Sequence, residues 1–60
     1  MAGLDVGDRV RLHYNGDNAP MWLLDELGTV TKAYRARVVV EFDVEAPHSR
    51  TINKALLRAT

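Results

Sequence analysis

Hydrophobic and polar side chains alternate in residues 9–14, and this alternation is the clearest strand pattern in the chain. The side chains of Val10, Leu12 and Tyr14 are apolar or aromatic, and those between them are polar. Strict period-two alternation places one set of side chains in a core and the other in solvent. The pattern therefore predicts a first β-strand with Val10, Leu12 and Tyr14 facing inward.

A second pattern covers residues 28–43 and predicts two strands joined by a short turn. Val38, Val40 and Phe42 alternate with outward-facing positions, and Val30 lies in the preceding strand. β-Branched and aromatic side chains fit the half-buried surface of a pleated sheet. We expect the two strands to pair, with Val30 packed against the face that carries Val38 and Val40.

The C-terminal part of the chain predicts two further short strands. Residues 50–53 suit a strand with Ile52 facing inward, residues 54–56 suit a single 3₁₀ turn, and residues 57–59 suit a closing strand. Together with the three preceding strands, these elements would make a five-stranded sheet.

A long arm connects the first two strands, and a second loop precedes the fourth. The arm starts with turn-forming residues 15–20 and continues with an apolar run over residues 21–27. That run suits one or two helical turns that begin near Pro20 and end at Gly28, or an irregular segment across the end of the sheet. Pro47 in the second loop argues against a central strand there.

Sixty residues suit a single domain, residues 1–60, in which residues 1–5 are predicted to be a loose lead-in. Five short strands cannot bury the apolar face of a flat sheet at this size, whereas a rolled sheet encloses it and reduces the exposed edges. We therefore predict an all-β fold, a five-stranded barrel with a long arm between strands 1 and 2. The competing prediction is an α+β fold, in which residues 20–27 and a C-terminal helix over residues 53–59 pack on a three-stranded meander.

Three short motifs carry a resemblance to a known class of fold. They are Gly7-Asp8-Arg9-Val10-Arg11-Leu12, then Gly28-Thr29-Val30, then a Val-x-Val-x-Phe-Asp strand ending at Asp43. In this order the motifs resemble small SH3-like barrels, including the KOW type and the short barrels common in bacteriophages and mobile elements. The resemblance covers most of residues 6–43 and implies an SH3-like barrel with a 3₁₀ turn before its last strand. It also implies a phage protein that acts on a host protein or, for the KOW type, a nucleic-acid-binding domain.

The absence of cysteine and of long apolar stretches indicates the compartment of the protein. The chain carries eight basic and eight acidic side chains and no cysteine. Without cysteine there is no disulfide framework and no thiolate zinc site, which is typical of a reducing compartment. No apolar stretch is long enough to cross a membrane, and residues 1–10 lack the apolar run of a signal peptide. We therefore expect a cytoplasmic protein with no membrane partner.

Side chains that carry catalysis or bind metals are few and scattered. A metal site needs three or four converging ligands, whereas His13 and His48 lie on a strand face and in a loop. Ser49 is the sole serine, and on an extended chain the adjacent His48 points elsewhere, so no hydrolytic triad is predicted. We expect a protein that is not an enzyme and that uses no cofactor and no metal.

The apolar run of the arm predicts a protein-binding surface. The four consecutive apolar side chains of residues 21–24 cannot all face so small a core, and Trp and Met are enriched at interface centres. We expect Trp22 to be at least half buried and Met21 or Leu23 to be the exposed side chain. Val39 lies on the outward face of its strand and is a further candidate contact, at an edge or a face that pairs with another chain. A protein partner or a second copy of this chain would fit this surface.

The hairpin turn predicts the competing function, nucleic-acid binding. Lys32, Arg35 and Arg37 place three cations around Tyr34, so that a base can stack on the ring while the arginines hold phosphates. This is the use that the KOW resemblance implies. A pI near 6.7 argues against it, because nucleic-acid-binding domains are usually basic. We therefore predict protein binding first and nucleic-acid binding as the alternative.

Overall fold

A computed structural model describes residues 3–60, which form five antiparallel β-strands in one sheet and three 3₁₀ helices of three residues each. In chain order the elements are β1 (Arg9–Leu12), η1 (Met21–Leu23), β2 (Leu27–Ala33), β3 (Arg37–Phe42), η2 (Asp43–Glu45), β4 (Arg50–Asn53), η3 (Lys54–Leu56) and β5 (Leu57–Ala59). Within the predicted lead-in, residues 3–5 have no regular secondary structure, and residues 1 and 2 lie outside the described residues.

The strand order across the sheet is β4-β3-β2-β1-β5, so β4 and β5 are its two edges. The predicted hairpin is confirmed, with Val30 directly opposite Val40. Beyond that pair the register shifts, and Lys32 lies opposite Val39. Thr31 is therefore an additional residue of β2 that forms a bulge. The predicted all-β class is therefore confirmed, with the boundaries of β3 and β4 close to those that the alternation predicts.

The competing prediction of a C-terminal helix is wrong. Residues 50–59 form β4, a single 3₁₀ turn and β5, and the only helical residues among 20–27 are the one 3₁₀ turn of η1, since Leu27 already begins β2. The side chain of Asn53 accepts a hydrogen bond from the Ala55 amide at 2.9 Å, which starts η3 locally. Pairing of β4 with β3 and of β5 with β1 then outweighs the helix propensity of the intervening residues.

One face of the sheet carries the core. Its buried apolar side chains come from all five strands and from the arm: Val10, Leu12, Ala19, Leu23, Val30, Val38, Val40, Phe42, Ile52 and Leu57. The inward positions predicted for β1, β3 and β4 are confirmed except for Tyr14, which is 53% exposed. That prediction is wrong because β1 ends at Leu12 and the alternation is not continued. Tyr14 instead donates its amide hydrogen to Leu56 O at 3.1 Å, beyond the strand.

The sheet is open but must be strongly curved. The order contains no ladder between β4 and β5 within residues 3–60, so a closed barrel is not confirmed. In a flat sheet, four strand spacings would separate these two edges by about 19 Å. The three residues of η3 join them, and a 3₁₀ turn advances only about 2 Å per residue. The short connection therefore holds the end of β4 close to the start of β5.

Candidate functional site

The long arm is fixed to the sheet at its end and folded on itself at its start. Its last residues are tied to β1 by hydrogen bonds from Asp25 N to Leu12 O (2.8 Å) and from Leu12 N to Glu26 O (3.1 Å). Near its start, the side-chain amide of Asn15 donates to Ala19 O at 3.0 Å, and Ala19 is buried in the core. The arm is therefore a fixed platform rather than a loose loop.

The 3₁₀ helix η1 divides the apolar run of the arm between core and solvent. Leu23 is fully buried, whereas Met21 is 70% exposed and Trp22 is 57% exposed. In a helix with three residues per turn, one residue in three faces the core, and Leu23 takes that position. The expectation that Met21 or Leu23 would be exposed is confirmed for Met21. The expectation that Trp22 would be at least half buried is wrong.

This division changes the predicted protein-binding set. Met21 and Trp22 remain available as adjacent exposed side chains, while the side chain of Leu23 has no surface to offer a partner. Val39 is partly buried on the outer face of β3, a central strand, where it lies opposite Thr51 of β4. Val39 is therefore on a sheet face and not at an edge.

The turn between β2 and β3 presents the predicted cationic residues beside an exposed aromatic ring. Lys32 Nζ lies 5.5 Å from the centroid of the Tyr34 ring, a cation–π distance. The Tyr34 amide donates to Arg37 O at 2.8 Å, which closes the turn. A shallow groove of about 480 Å³ runs beside it and is lined by Tyr34, Arg35, Ala36, Arg37, Thr51 and Asn53. Three of the four predicted residues thus share one groove, and Lys32 adjoins it through Tyr34.

Asp17 joins the arm to this groove. Its Oδ2 accepts a hydrogen bond from the Asn53 amide at 2.6 Å, and its Oδ1 lies 3.9 Å from Arg37 Nη2. Asp17 adopts a left-handed backbone conformation, with φ at 52°, which aspartate tolerates better than most residues. The carboxylate therefore fills one hydrogen-bonding position on the open edge of β4.

Two arginines are occupied by carboxylates of η2. Arg9 donates to both carboxylate oxygens of Asp43, at 2.9 and 2.7 Å, and also to Thr29 Oγ1 at 2.8 Å. These hydrogen bonds lower the pKa of Asp43 and raise that of Arg9. Arg50 binds Glu45 through two hydrogen bonds, which raise the pKa of Arg50. Neither arginine is free to hold a ligand without giving up its carboxylate.

Sequence reasoning missed a second cationic cluster on the outer face of β1 and β5. Arg11 and Arg58 lie directly opposite each other across these strands, and both are exposed. The Arg58 guanidinium carbon is 5.5 Å from the centroid of the Tyr14 ring. Each arginine could be assigned to a solvent face from the alternation, but their juxtaposition depends on the β1–β5 register, which no local pattern encodes.

The described residues contain no cluster of three histidine, aspartate or glutamate side chains that could hold a metal ion. None of the helices in residues 3–60 is long and apolar enough to cross a membrane. Comparison with protein-family models, with curated proteins and with solved structures finds no match to this chain. What the chain binds is therefore inferred from its own surface.

Proposed function

We propose that this chain is a small, non-catalytic binding module that holds a protein partner against Met21 and Trp22. The observation that carries the proposal is the exposure of these two adjacent large apolar side chains, 70% and 57%, on a platform fixed to the core. A chain of this size has little apolar surface to spare, so exposing both side chains is unfavourable unless a partner covers them. Because Leu23 anchors the platform, little conformational entropy is lost when a partner binds.

The proposal includes an SH3-like barrel as scaffold, supported by the strand order and by the short connection between the two edge strands. The proposed compartment is the cytoplasm, in line with the cysteine-free composition. The resemblance to phage barrels favours a host protein as the partner. A second copy of the chain is the other occupant that the same apolar surface would suit.

The test compares capture of proteins from cell extract by the wild type and by the Met21→Ser/Trp22→Ser variant. A matched control, Val6→Ser/Val44→Ser, removes two other exposed apolar side chains far from η1 in sequence. We expect a partner that is retained by the wild type and the control and lost by the Met21/Trp22 variant, with little dependence on salt. Sedimentation of the same three proteins separates self-association from binding of another protein. Identical retention and identical sedimentation in all three would contradict the proposal.

The second candidate function is nucleic-acid binding through Lys32, Tyr34, Arg35 and Arg37. The specific observation in its favour is the groove that Tyr34, Arg35 and Arg37 line beside β4, with Lys32 positioned over the ring. We expect binding that weakens steeply with salt and is lost in the Arg35→Ala/Arg37→Ala variant. Affinity for a labelled oligonucleotide that does not change in this variant would exclude this candidate as described.

A further inference from the structure

Arg11 and Arg58 lie side by side, and within residues 3–60 no carboxylate forms an ion pair with either of them. They are directly opposite residues of antiparallel strands, whose Cβ atoms lie about 4.5–5.5 Å apart. Within residues 3–60, the ion pairs are formed by Arg9, Arg37 and Arg50, and not by Arg11 or Arg58. Like charges in this arrangement repel each other, and an anion bound between them would relieve that repulsion.

The chemistry of two guanidinium groups on directly opposite residues suits a phosphate. Each guanidinium presents a planar fork of donors, and a phosphate oxygen pair accepts such a fork with two parallel hydrogen bonds. Two forks rising from neighbouring strands can approach one phosphate from two sides. Arg58 donates one hydrogen bond to Leu57 O at 3.1 Å, which leaves its other donors for a ligand.

An aromatic ring stands next to the paired arginines. Tyr14 is 53% exposed, and its ring lies 5.5 Å from the Arg58 guanidinium carbon. The ring of His13 meets that of Tyr14 edge to face, with centroids 4.6 Å apart, which limits the orientations of the tyrosine. A phosphate site beside an exposed aromatic ring matches a nucleotide unit, in which a base accompanies each phosphate.

The helix η3 connects this cluster to the groove at the β2–β3 turn. The Lys54 amide donates to Ala36 O of the turn at 3.0 Å, and Leu56 O accepts the amide hydrogen of Tyr14 at 3.1 Å. One 3₁₀ turn, about 6 Å long, therefore separates the backbone of the β2–β3 turn from the backbone at Tyr14. Lys54 and Arg58 also contribute to the lining of one groove of about 540 Å³.

We propose that Arg11, Arg58 and Tyr14 form a binding site for single-stranded nucleic acid, with one phosphate between the two arginines and a base against Tyr14. The strand continues past Lys54 to the groove lined by Arg35 and Arg37. A double helix could not bind in this way, because its stacked bases do not expose a face to the Tyr14 ring. The proposal rests on the second candidate function and extends it to a second binding surface.

The test measures fluorescence anisotropy of a labelled oligothymidylate of about 12 nucleotides, within the range that small barrels cover. We expect Arg11→Ala/Arg58→Ala to lower the affinity about 10- to 100-fold. The slope of log affinity against log salt should become shallower by about 0.7 for each phosphate that the variant no longer neutralises. Tyr14→Leu should lower the affinity by about 5-fold or more, because the base can no longer stack on the ring.

The matched control is Arg9→Gln/Arg50→Gln. It also removes two positive charges, but from arginines that are paired with Asp43 and Glu45. If the affinity depends on the position of the charges and not on the net charge, it should change by less than about 3-fold in this control. Arg11→Lys/Arg58→Lys keeps the charge and removes the forked donors, and we expect an intermediate reduction in affinity. Thermal unfolding of each variant confirms that it is folded under the assay conditions.

The possible results distinguish binding at the Arg11/Arg58 site from binding at the β2–β3 turn. Loss of binding in the Arg35→Ala/Arg37→Ala variant, with no effect of the Arg11/Arg58 and Tyr14 variants, would overturn this proposal and leave the second candidate function standing. Absence of binding by the wild type at low salt would overturn both. Competition by polyglutamate as effective as by unlabelled oligonucleotide would replace the proposal with a site for acidic proteins. Inorganic phosphate competing at equal phosphate concentration would reduce it to a site for free phosphate.

Discussion

Gly28 lies in β2 at a position where its neighbours leave no room for a Cβ atom. It is flanked by Val10 of β1 and by Phe42 of β3. A Cβ atom at this position would stand 2.6 Å from Val40 Cγ1 and 2.9 Å from Glu41 O. One of these neighbours is backbone and cannot move without disturbing the ladder, so the position requires glycine for steric reasons.

We predict that Gly28→Ala lowers the free energy of unfolding by about 1–3 kcal/mol, the range for overpacking a core. Urea denaturation followed by tryptophan fluorescence measures it. Gly3→Ala is the matched control, because a Cβ atom there meets nothing within 4 Å, and its effect should stay within about 0.5 kcal/mol. Equal unfolding midpoints for the wild type and Gly28→Ala would contradict the packing described for β2.

The Arg9–Asp43 pair predicts how stability depends on acid. Because its hydrogen bonds hold the pKa of Asp43 below the ordinary value of 3.8, the unfolded chain binds its proton first as the pH falls. The stabilising contribution is therefore full above about pH 3.8 and is lost as the pH falls through the lower folded-state pKa. Asp43→Asn should reduce stability near neutral pH and remove this part of the acid dependence.

Thermal unfolding of wild type and Asp43→Asn across the acid range measures this effect. The melting temperatures of the two proteins should differ near neutral pH and converge as the wild-type carboxylate becomes protonated. Asp25→Asn is the control, because the exposed Asp25 carboxylate forms no ion pair within residues 3–60. A constant difference between wild type and Asp43→Asn at every pH would contradict the prediction.

At the scale of elements, η1 divides its three side chains between the core and the solvent. Leu23 enters the core while Met21 and Trp22 stay in solvent, and Pro20 precedes the turn in an extended conformation. The hydrogen bonds from Leu23 N to Pro20 O and from Leu24 N to Met21 O close the turn. The core contact and the exposed apolar surface of this short element thereby belong to different side chains.

We predict that Leu23→Ala lowers the free energy of unfolding by about 2–5 kcal/mol, because it leaves a cavity in the core. Met21→Ala should change it by less than about 0.5 kcal/mol, because its side chain is mostly in solvent. Urea denaturation of both variants measures the contrast. Similar decreases in the two variants would mean that η1 does not divide core from surface as described. Weaker partner binding by Leu23→Ala would reflect unfolding of the platform, because the buried Leu23 side chain cannot contact a partner.

At the scale of the whole molecule, β4 and β5 are edge strands of the sheet formed by residues 3–60. The Asn53 amide points away from β3 to Asp17, and amide directions alternate along a strand. The Thr51 amide therefore also points to the open edge, whereas that of Ile52 points to β3. Asp17 satisfies one donor of this edge, and Thr51 remains open to pairing with another chain.

We predict that the Thr51 amide exchanges its hydrogen with solvent at least about 10-fold faster than the Ile52 amide, because only the latter is in a ladder. Hydrogen exchange followed by NMR at low protein concentration measures both rates. Protection of Thr51 equal to that of Ile52 would show that the edge is paired. Protection that rises with protein concentration would assign that pairing to a second copy of the chain.

Local patterns predicted most strands, but they did not predict every exposed side chain or the grooves that distant strands form together. Val38, Val40 and Phe42 follow a strict alternation, and a side chain's face is set by its own strand, so these positions could be read directly. Tyr14 and Trp22 could not, because their exposure depends on where β1 ends and on which residue of η1 reaches the core. The groove at the β2–β3 turn was partly predicted, since three of the four candidate residues line it and lie close together in sequence, whereas Thr51 comes from a distant strand.

The sequence by itself determined the hairpin of β2 and β3, the inward positions of β3 and β4 and most of the core. Each follows from side-chain period and turn chemistry within a few residues, which act before distant parts of the chain meet. Only the tertiary structure decided that Arg11 faces Arg58, that Asp17 caps Asn53, and that Trp22 stays in solvent. These depend on strand register and on competition for one small core, and both are settled by the packing of the whole chain.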